Sequence, residues 1–186
     1  LQVLKNKRFL VYLPLTSAFS FIGTGLMFHQ IFIITQKGWT LEMLGTGFIF
    51  LGMFSIIGLL FGGPLIDILN PKKAIIFLLL PILIGILVLL FFENFYFLLL
   101  YMSLFGLNLG LSAPFTGSLW AELFGLESIG TVKALFHAIV VLASALSPVI
   151  FGYLIDWGFG LITISSICLT IIIMTSVLPI IFKINE

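Results

Sequence analysis

Residues 74–92 read AIIFLLLPILIGILVLLFF, a run from Ala74 to Phe92 without a Ser, Thr, Asn, Gln, His or charged side chain. A helix needs about 20 apolar residues to cross a ~30 Å hydrocarbon layer. A strand of a transmembrane β-barrel would instead alternate apolar and polar positions over about ten residues. The run therefore reads as a membrane-spanning helix, closed off by Lys72-Lys73 on one side and Glu93-Asn94 on the other.

Five more stretches of similar character lie around it, so the predicted spans are approximately Phe9–Ile34, Leu44–Ile66, Ala74–Phe92, Phe95–Leu119, Gly130–Ile155 and Gly160–Phe182. The polar intervals Thr35–Met43, Asp67–Lys73, Glu93–Asn94, Trp120–Ile129 and Asp156–Phe159 are too short for anything but antiparallel neighbours. The predicted fold class is an all-α membrane protein, a single six-helix transmembrane domain over residues 1–186. Composition agrees: of 186 residues, 61% are hydrophobic, 15% aromatic and 8% charged, with mean hydropathy +1.33. Eight Lys and Arg with seven Asp and Glu cannot cover a soluble globule of this size, which excludes a soluble enzyme. Disorder requires low hydrophobicity and is excluded too. A net charge of +1 leaves no basic face for nucleic acid. The single cysteine, Cys168, forms neither an internal disulfide nor a cysteine metal cage, and no cofactor or metal is expected.

Lys5, Lys7, Arg8, Lys72, Lys73, Lys133 and Lys183 fall on one side of the predicted zigzag, and Lys37 alone on the other. The positive-inside rule puts the first set, and both termini, in the cytoplasm of a plasma or inner membrane. Within this frame a repeat emerges. Leu41-Glu42-Met43-Leu44-Gly45-Thr46 recurs as Leu126-Glu127-Ser128-Ile129-Gly130-Thr131, opening the second and fifth helices. Those helices close on Gly63-Pro64-Leu65-Ile66-Asp67 and Gly152-Tyr153-Leu154-Ile155-Asp156. Asn6 with Phe9-Leu10 and Asn94 with Phe97-Leu98 echo each other weakly at the starts of the first and fourth. Glu42 to Asp67 spans 25 residues and Glu127 to Asp156 29, a difference of about one helical turn, which keeps the same face inward. Three helices separate the copies, so they run in opposite senses: two inverted three-helix units, about 1–93 and 94–186, an arrangement on which many secondary transporters are built.

The chain resembles the major facilitator superfamily, in which each six-helix half consists of two such units. That family carries a signature Gly-x-Leu-x-Asp-Arg-x-Gly-Arg-Lys between the second and third helices of a half. Here Gly63, Leu65, Asp67 and Lys72 match it, while Ile68, Asn70 and Pro71 replace the first arginine, the glycine and the second arginine. The fourth helix lacks the arginine usual in the family's N-terminal half, so the resemblance is to the C-terminal half. The resemblance implies one half of an alternating-access carrier for a small solute. Its partners would be the lipid bilayer, the solute and the missing six-helix half, in the same longer chain or as a second copy. Trp120-Ala121-Glu122-Leu123-Phe124-Gly125 followed by Gly130-Thr131-Val132-Lys133 is similar to branches that include monocarboxylate and oxalate/formate carriers.

Polar residues inside hydrocarbon are costly and mark protein-facing or wet surfaces. Thr16, Ser20 and Thr24 form a stripe on the first helix; Tyr101, Asn108, Ser112 and Thr116 form one on the fourth, where Gly106, Gly110 and Gly117 permit close approach. The resemblance implies that these two helices line the cavity. Asn108, a primary amide in mid-span, needs hydrogen-bond partners, either a solute or a neighbouring helix. On the fifth helix Lys133, His137 and Ser144 share a face. His137 can relay protons or bind an anion, or remain neutral and bonded to a neighbour. Lys133 is a cytoplasmic-end anchor or a carboxylate ligand, and His29 an interfacial residue. The substrate-binding candidates are thus Thr16, Ser20, Thr24, Asn108, Ser112, Thr116, His137 and Ser144. The gating or structural set is Gly63, Leu65, Asp67, Lys72, Lys73, Gly152 and Asp156. The third helix, without a polar side chain, fits the lipid-facing role of its counterpart in the family, and the sixth should follow it. The Ser and Thr residues of the sixth are then accounted for by bonds back to their own helix.

Two other readings compete. Gly110-Leu111-Ser112-Ala113 approaches the nucleophile motif of a rhomboid-like intramembrane serine protease, with His137 as the base. A standalone six-helix protein that dimerises into a carrier is the other.

Overall fold

Helices in this chain begin where a side chain can take up an orphan backbone N–H. The oxygen of Asn6 accepts from Arg8 N at 2.9 Å, that of Thr40 from Met43 N at 3.3 Å, that of Asn70 from Lys73 N at 3.1 Å and that of Asn94 from Tyr96 N at 3.1 Å. The computed structural model describes residues 3–182, and among them there are helices and no strands. After a 3₁₀ turn at Val3–Lys5 come α1 (Lys7–Phe28), α2 (Gln30–Lys37), α3 (Leu41–Leu69) and α4 (Pro71–Ala74). A second 3₁₀ turn at Ile75–Phe77 leads to α5 (Leu80–Phe91), α6 (Phe95–Asp156) and α7 (Leu161–Ile181). Lys183, counted above for sidedness, lies outside the described residues.

Five helical stretches are apolar and long enough to cross a membrane, but four of the six predicted spans differ in detail. The first is not continuous: at His29 (φ −106°, ψ 26°) the helix breaks into α1 and α2, with His29 Nδ1 hydrogen-bonded to Gly25 O at 2.8 Å. The third starts as α4 and a 3₁₀ turn before α5, because Pro81 supplies no N–H to continue a ladder. The fourth and fifth meet without the expected polar interval. α6 reverses at Gly125 alone (φ 71°, ψ 168°), a conformation that is essentially restricted to glycine.

Contacts fix the direction of each span. Phe9 packs on Trp120 (5.1 Å between ring centroids), Phe19 on Phe105 (5.5 Å), and Gln30 Nε2 donates to the Tyr101 hydroxyl at 2.9 Å. The falling numbers make α1 antiparallel to the first arm of α6, residues 95–124. Ser20 donates to Val140 O at 3.2 Å, Ser147 donates to Phe21 O, and His29 stacks on Phe151. Rising numbers make α1 parallel to the second arm, residues 126–156. α3 runs parallel to the first arm and touches it through glycines. A methyl group on Gly106 would overlap the Leu51 carbonyl, one on Gly110 the Ser55 carbonyl, and one on Gly58 would sit 2.6 Å from Leu107 O. Small residues at both faces let two backbones close up without a hydrophobic force between them.

α1, α3 and α5 pack mainly on α6 and α7 rather than on one another. The third span has an exposed face, with Phe77, Leu80, Ile84 and Phe91, and an inner face buried more extensively than that of α3. Pro81, Ile82, Gly85, Ile86, Val88 and Leu89 of α5 are buried in the bundle, whereas α3 buries only Leu44, Gly47, Gly58, Gly62 and Ile66 along its whole length. Lipid tails and a helix interior are equally apolar, so a side-chain row such as 74–92 fits either. On the sixth span, back-bonding accounts for three of the six Ser and Thr residues, while Ser165 is buried without a partner among the described residues. Ser166, Thr170 and Thr175 donate to carbonyls four residues back, at 2.8 Å each.

Candidate functional site

Between α1 and the first arm of α6 lies a cavity of about 450 Å³, lined by Phe19, Ser20, Gly23, Thr24, Met27 and Phe28 on one side and Phe105, Leu109 and Ser112 on the other. Its shape follows from the local sequence. Gly23 contributes only backbone, the Phe19 and Phe105 rings meet edge to face across it at 62°, and Phe28 and Leu109 are exposed at its opening. Three hydroxyls reach it. Ser20 donates to Val140 O at 3.2 Å, Ser112 to Asn108 O at 2.7 Å, and the Thr24 hydroxyl has no partner among the described residues. Among the described residues, no charged side chain is in the lining.

The first and fourth spans thus face each other across this cavity. The sequence model of the Major Facilitator Superfamily matches residues 10–184. The chain belongs to the major facilitator superfamily. A search of curated proteins gave no match. Members of the superfamily are transporters of small solutes rather than enzymes, and this member is a multi-pass membrane protein.

In this superfamily member, three of the eight expected solute contacts, Ser20, Thr24 and Ser112, line the cavity together. Asn108 does not. It is fully buried, and its Oδ1 accepts from Ile82 N at 3.3 Å, bridging to α5. Its Nδ2 has no partner among the described residues. Thr16 and Thr116 are buried and bonded back to their own helices, to Tyr12 O at 2.9 Å and Ser112 O at 2.6 Å. Ser144 donates to Val141 O at 2.8 Å. His137 is exposed on the second arm beside Phe136, and no hydrogen bond joins it to Ser112, so the nucleophile–base pair of the protease reading is not assembled. Lys133 is exposed one turn earlier. Its Nζ reaches across to the first arm, 3.7 Å from where a methyl on Gly117 would sit, without an ion-pair partner among the described residues.

At the end of the bundle that holds the superfamily signature, Gly63, Leu65, Asp67 and Lys73 are exposed, while Lys72 pairs with Glu122 at 3.5 Å. Asn70, Lys72, Lys73 and Glu122 line a shallow polar pocket there. Lys5, Lys7 and Arg8 sit at the same end, since Phe9 packs on Trp120 and the Lys7 ammonium lies over the Phe182 ring at 5.5 Å. At the opposite end Gly152 lies against His29, Asp156 ends α6 exposed, and Trp39 Nε1 donates to Glu93 O.

Sequence reasoning missed Glu122 as the partner of Lys72, though both were placed on one membrane side. It also missed the cavity walls Phe19, Met27, Phe105 and Leu109. Nothing in an apolar span distinguishes an aromatic that lines a cavity from one that meets lipid.

Proposed function

We propose that this chain is one six-helix half of a secondary active transporter that moves a small solute by alternating access. The observation that carries the reading is the cavity between α1 and the first arm of α6, with Ser20, Thr24 and Ser112 brought to it from separate helices. A second six-helix half, in a longer chain or as a second copy, would close that cavity. The exposed apolar faces of α3 and of the second arm of α6 support such a partner. The inverted-repeat reading is supported by the pairing of helices. Exchanging the two three-helix units turns the pair of α1 with the second arm into the pair of the first arm with α3, and both are parallel contacts made at glycines. Lys72 and Glu122 form a latch at the end that the lysine distribution assigns to the cytoplasm. A carboxylate solute is supported by the likeness at Trp120–Gly125 and by Lys133, which has no counter-ion among the described residues.

Uptake into proteoliposomes containing the full-length protein tests this. Ser20→Ala, Thr24→Val and Ser112→Ala are expected to raise the solute's apparent KM severalfold with normal insertion, and uptake at wild-type KM in all three would overturn the cavity assignment. His137→Ala is the companion variant for proton coupling, with loss of pH-driven uptake expected if the imidazole carries the proton.

A further inference from the structure

We infer that the part of the solute received by this half is an uncharged aryl or branched-alkyl body, seated against the paired rings of Phe19 and Phe105, with one polar atom hydrogen-bonded to Thr24, and that any ionised group of the solute stays outside this cavity. The inference rests on the transporter reading above and narrows its substrate class.

Three observations lead to it. The cavity volume, about 450 Å³, suits a small organic molecule and exceeds what a one- or two-carbon acid would fill. The walls are aromatic and aliphatic. The Phe19 and Phe105 rings meet at right-angle-like tilt, and both stand over the Gly23 backbone, where an added methyl would lie 3.2 Å from Phe19 and 3.3 Å from Phe105. The two rings lie on the Gly23 backbone and turn an aromatic wall to the cavity, against which a flat ring or a branched chain can pack, whereas a larger residue in place of Gly23 would push both rings into that space. The third observation is the polar inventory. The protons of Ser20 and Ser112 are committed to Val140 O and Asn108 O, which leaves Thr24 as the hydroxyl free to donate. One free donor satisfies one ether, hydroxyl or carbonyl oxygen. It does not compensate a carboxylate, which needs several donors or a cation when it is taken out of water. A lipid chain in the same place would leave Thr24 without use.

The test uses 4-azidobenzyl alcohol, a neutral aryl photoprobe, on the full-length protein in lipid nanodiscs, with labelled residues mapped by mass spectrometry. Labelling is expected on the segments around Phe19–Phe28 and Phe105–Leu109, suppressed by unlabelled benzyl alcohol and untouched by formate or oxalate at equal concentration. Gly23→Leu is expected to abolish cavity labelling. Thr24→Val, which removes a hydroxyl without a partner and so leaves the fold intact, is expected to weaken it about tenfold. Suppression by formate or oxalate as strong as by benzyl alcohol, or full labelling of Thr24→Val, would overturn the inference while the transporter reading, judged by uptake, still stood. Labelling confined to the exposed side of α3 would overturn it as well. Absence of uptake by the same protein reconstituted in proteoliposomes is the separate sign that the underlying reading has failed.

Discussion

Asn108 commits its side-chain oxygen to the N–H of Ile82, in the first turn of α5, where backbone donors have no acceptor within their own helix. In a bilayer no water can replace it. Asn108→Leu is therefore expected to lower stability by about 1–3 kcal/mol, the cost of a buried donor left unpaired, read as a drop in the melting temperature in detergent, with the apparent KM for uptake unchanged. A raised KM at unchanged stability would return Asn108 to the solute site. The Lys72–Glu122 pair behaves differently, because both side chains are partly solvated, 28% and 34% exposed. Such a pair contributes about 0–1 kcal/mol. Lys72→Glu and Glu122→Lys are each expected to leave melting nearly unchanged while altering the uptake rate, and the double exchange is expected to restore it. That Asn108 needed partners was legible from an amide in mid-span. Which partner it took was not, because the break in the third span that frees Ile82 N lies inside a run that reads as uniform.

At the scale of helices, glycines decide which neighbours touch. Gly106 and Gly110 meet α3 backbone so closely that Gly106→Leu is expected to force the two helices apart, costing roughly 1–3 kcal/mol or more. Gly52→Ala, at a position with open space, is expected to be neutral or to stabilise by up to about 1 kcal/mol. Detergent melting of the two variants side by side checks both, and equal melting temperatures would mean that the α3 contact is dispensable. The sequence spacing already flagged Gly106 and Gly110 for close approach. It did not identify Gly58 as the counterpart of Gly110, nor that α5 would bury more of its length in the bundle than α3. Those outcomes depend on which faces meet, and hydropathy carries no face information when all faces are apolar. The His29 break was hidden for the same reason, since Phe9–Ile34 contains no proline or glycine at that point to announce it.

For the molecule as a whole, the directions of the spans follow from paired contacts, and these reproduce the zigzag that the short loops predicted. Its two ends are chemically distinct, one gathering Lys5, Lys7, Arg8, Lys72 and Lys73, the other holding Lys37 and Trp39. Cys168 is buried, so the native chain offers a low background for thiol labelling. Lys73→Cys is expected to react with a membrane-impermeant maleimide only from the cytoplasmic side and Glu93→Cys only from outside. Labelling of both from one side would rule out the zigzag.

The distribution of contacts also bears on how the chain is made. Translation delivers α1, α3 and α5 before the helices on which they mainly pack exist. Until α6 and α7 emerge, the glycine face of α3 and the capping demand of Ile82 have nothing of this chain to meet. A nascent chain stopped after Glu93 should remain three loosely associated helices, open to protease and to any membrane chaperone that shields small-residue faces, and should gain resistance only when the hairpin at Gly125 has entered the bilayer. Assembly of this bundle is thus a late, concerted event, not the stacking of one finished repeat on another.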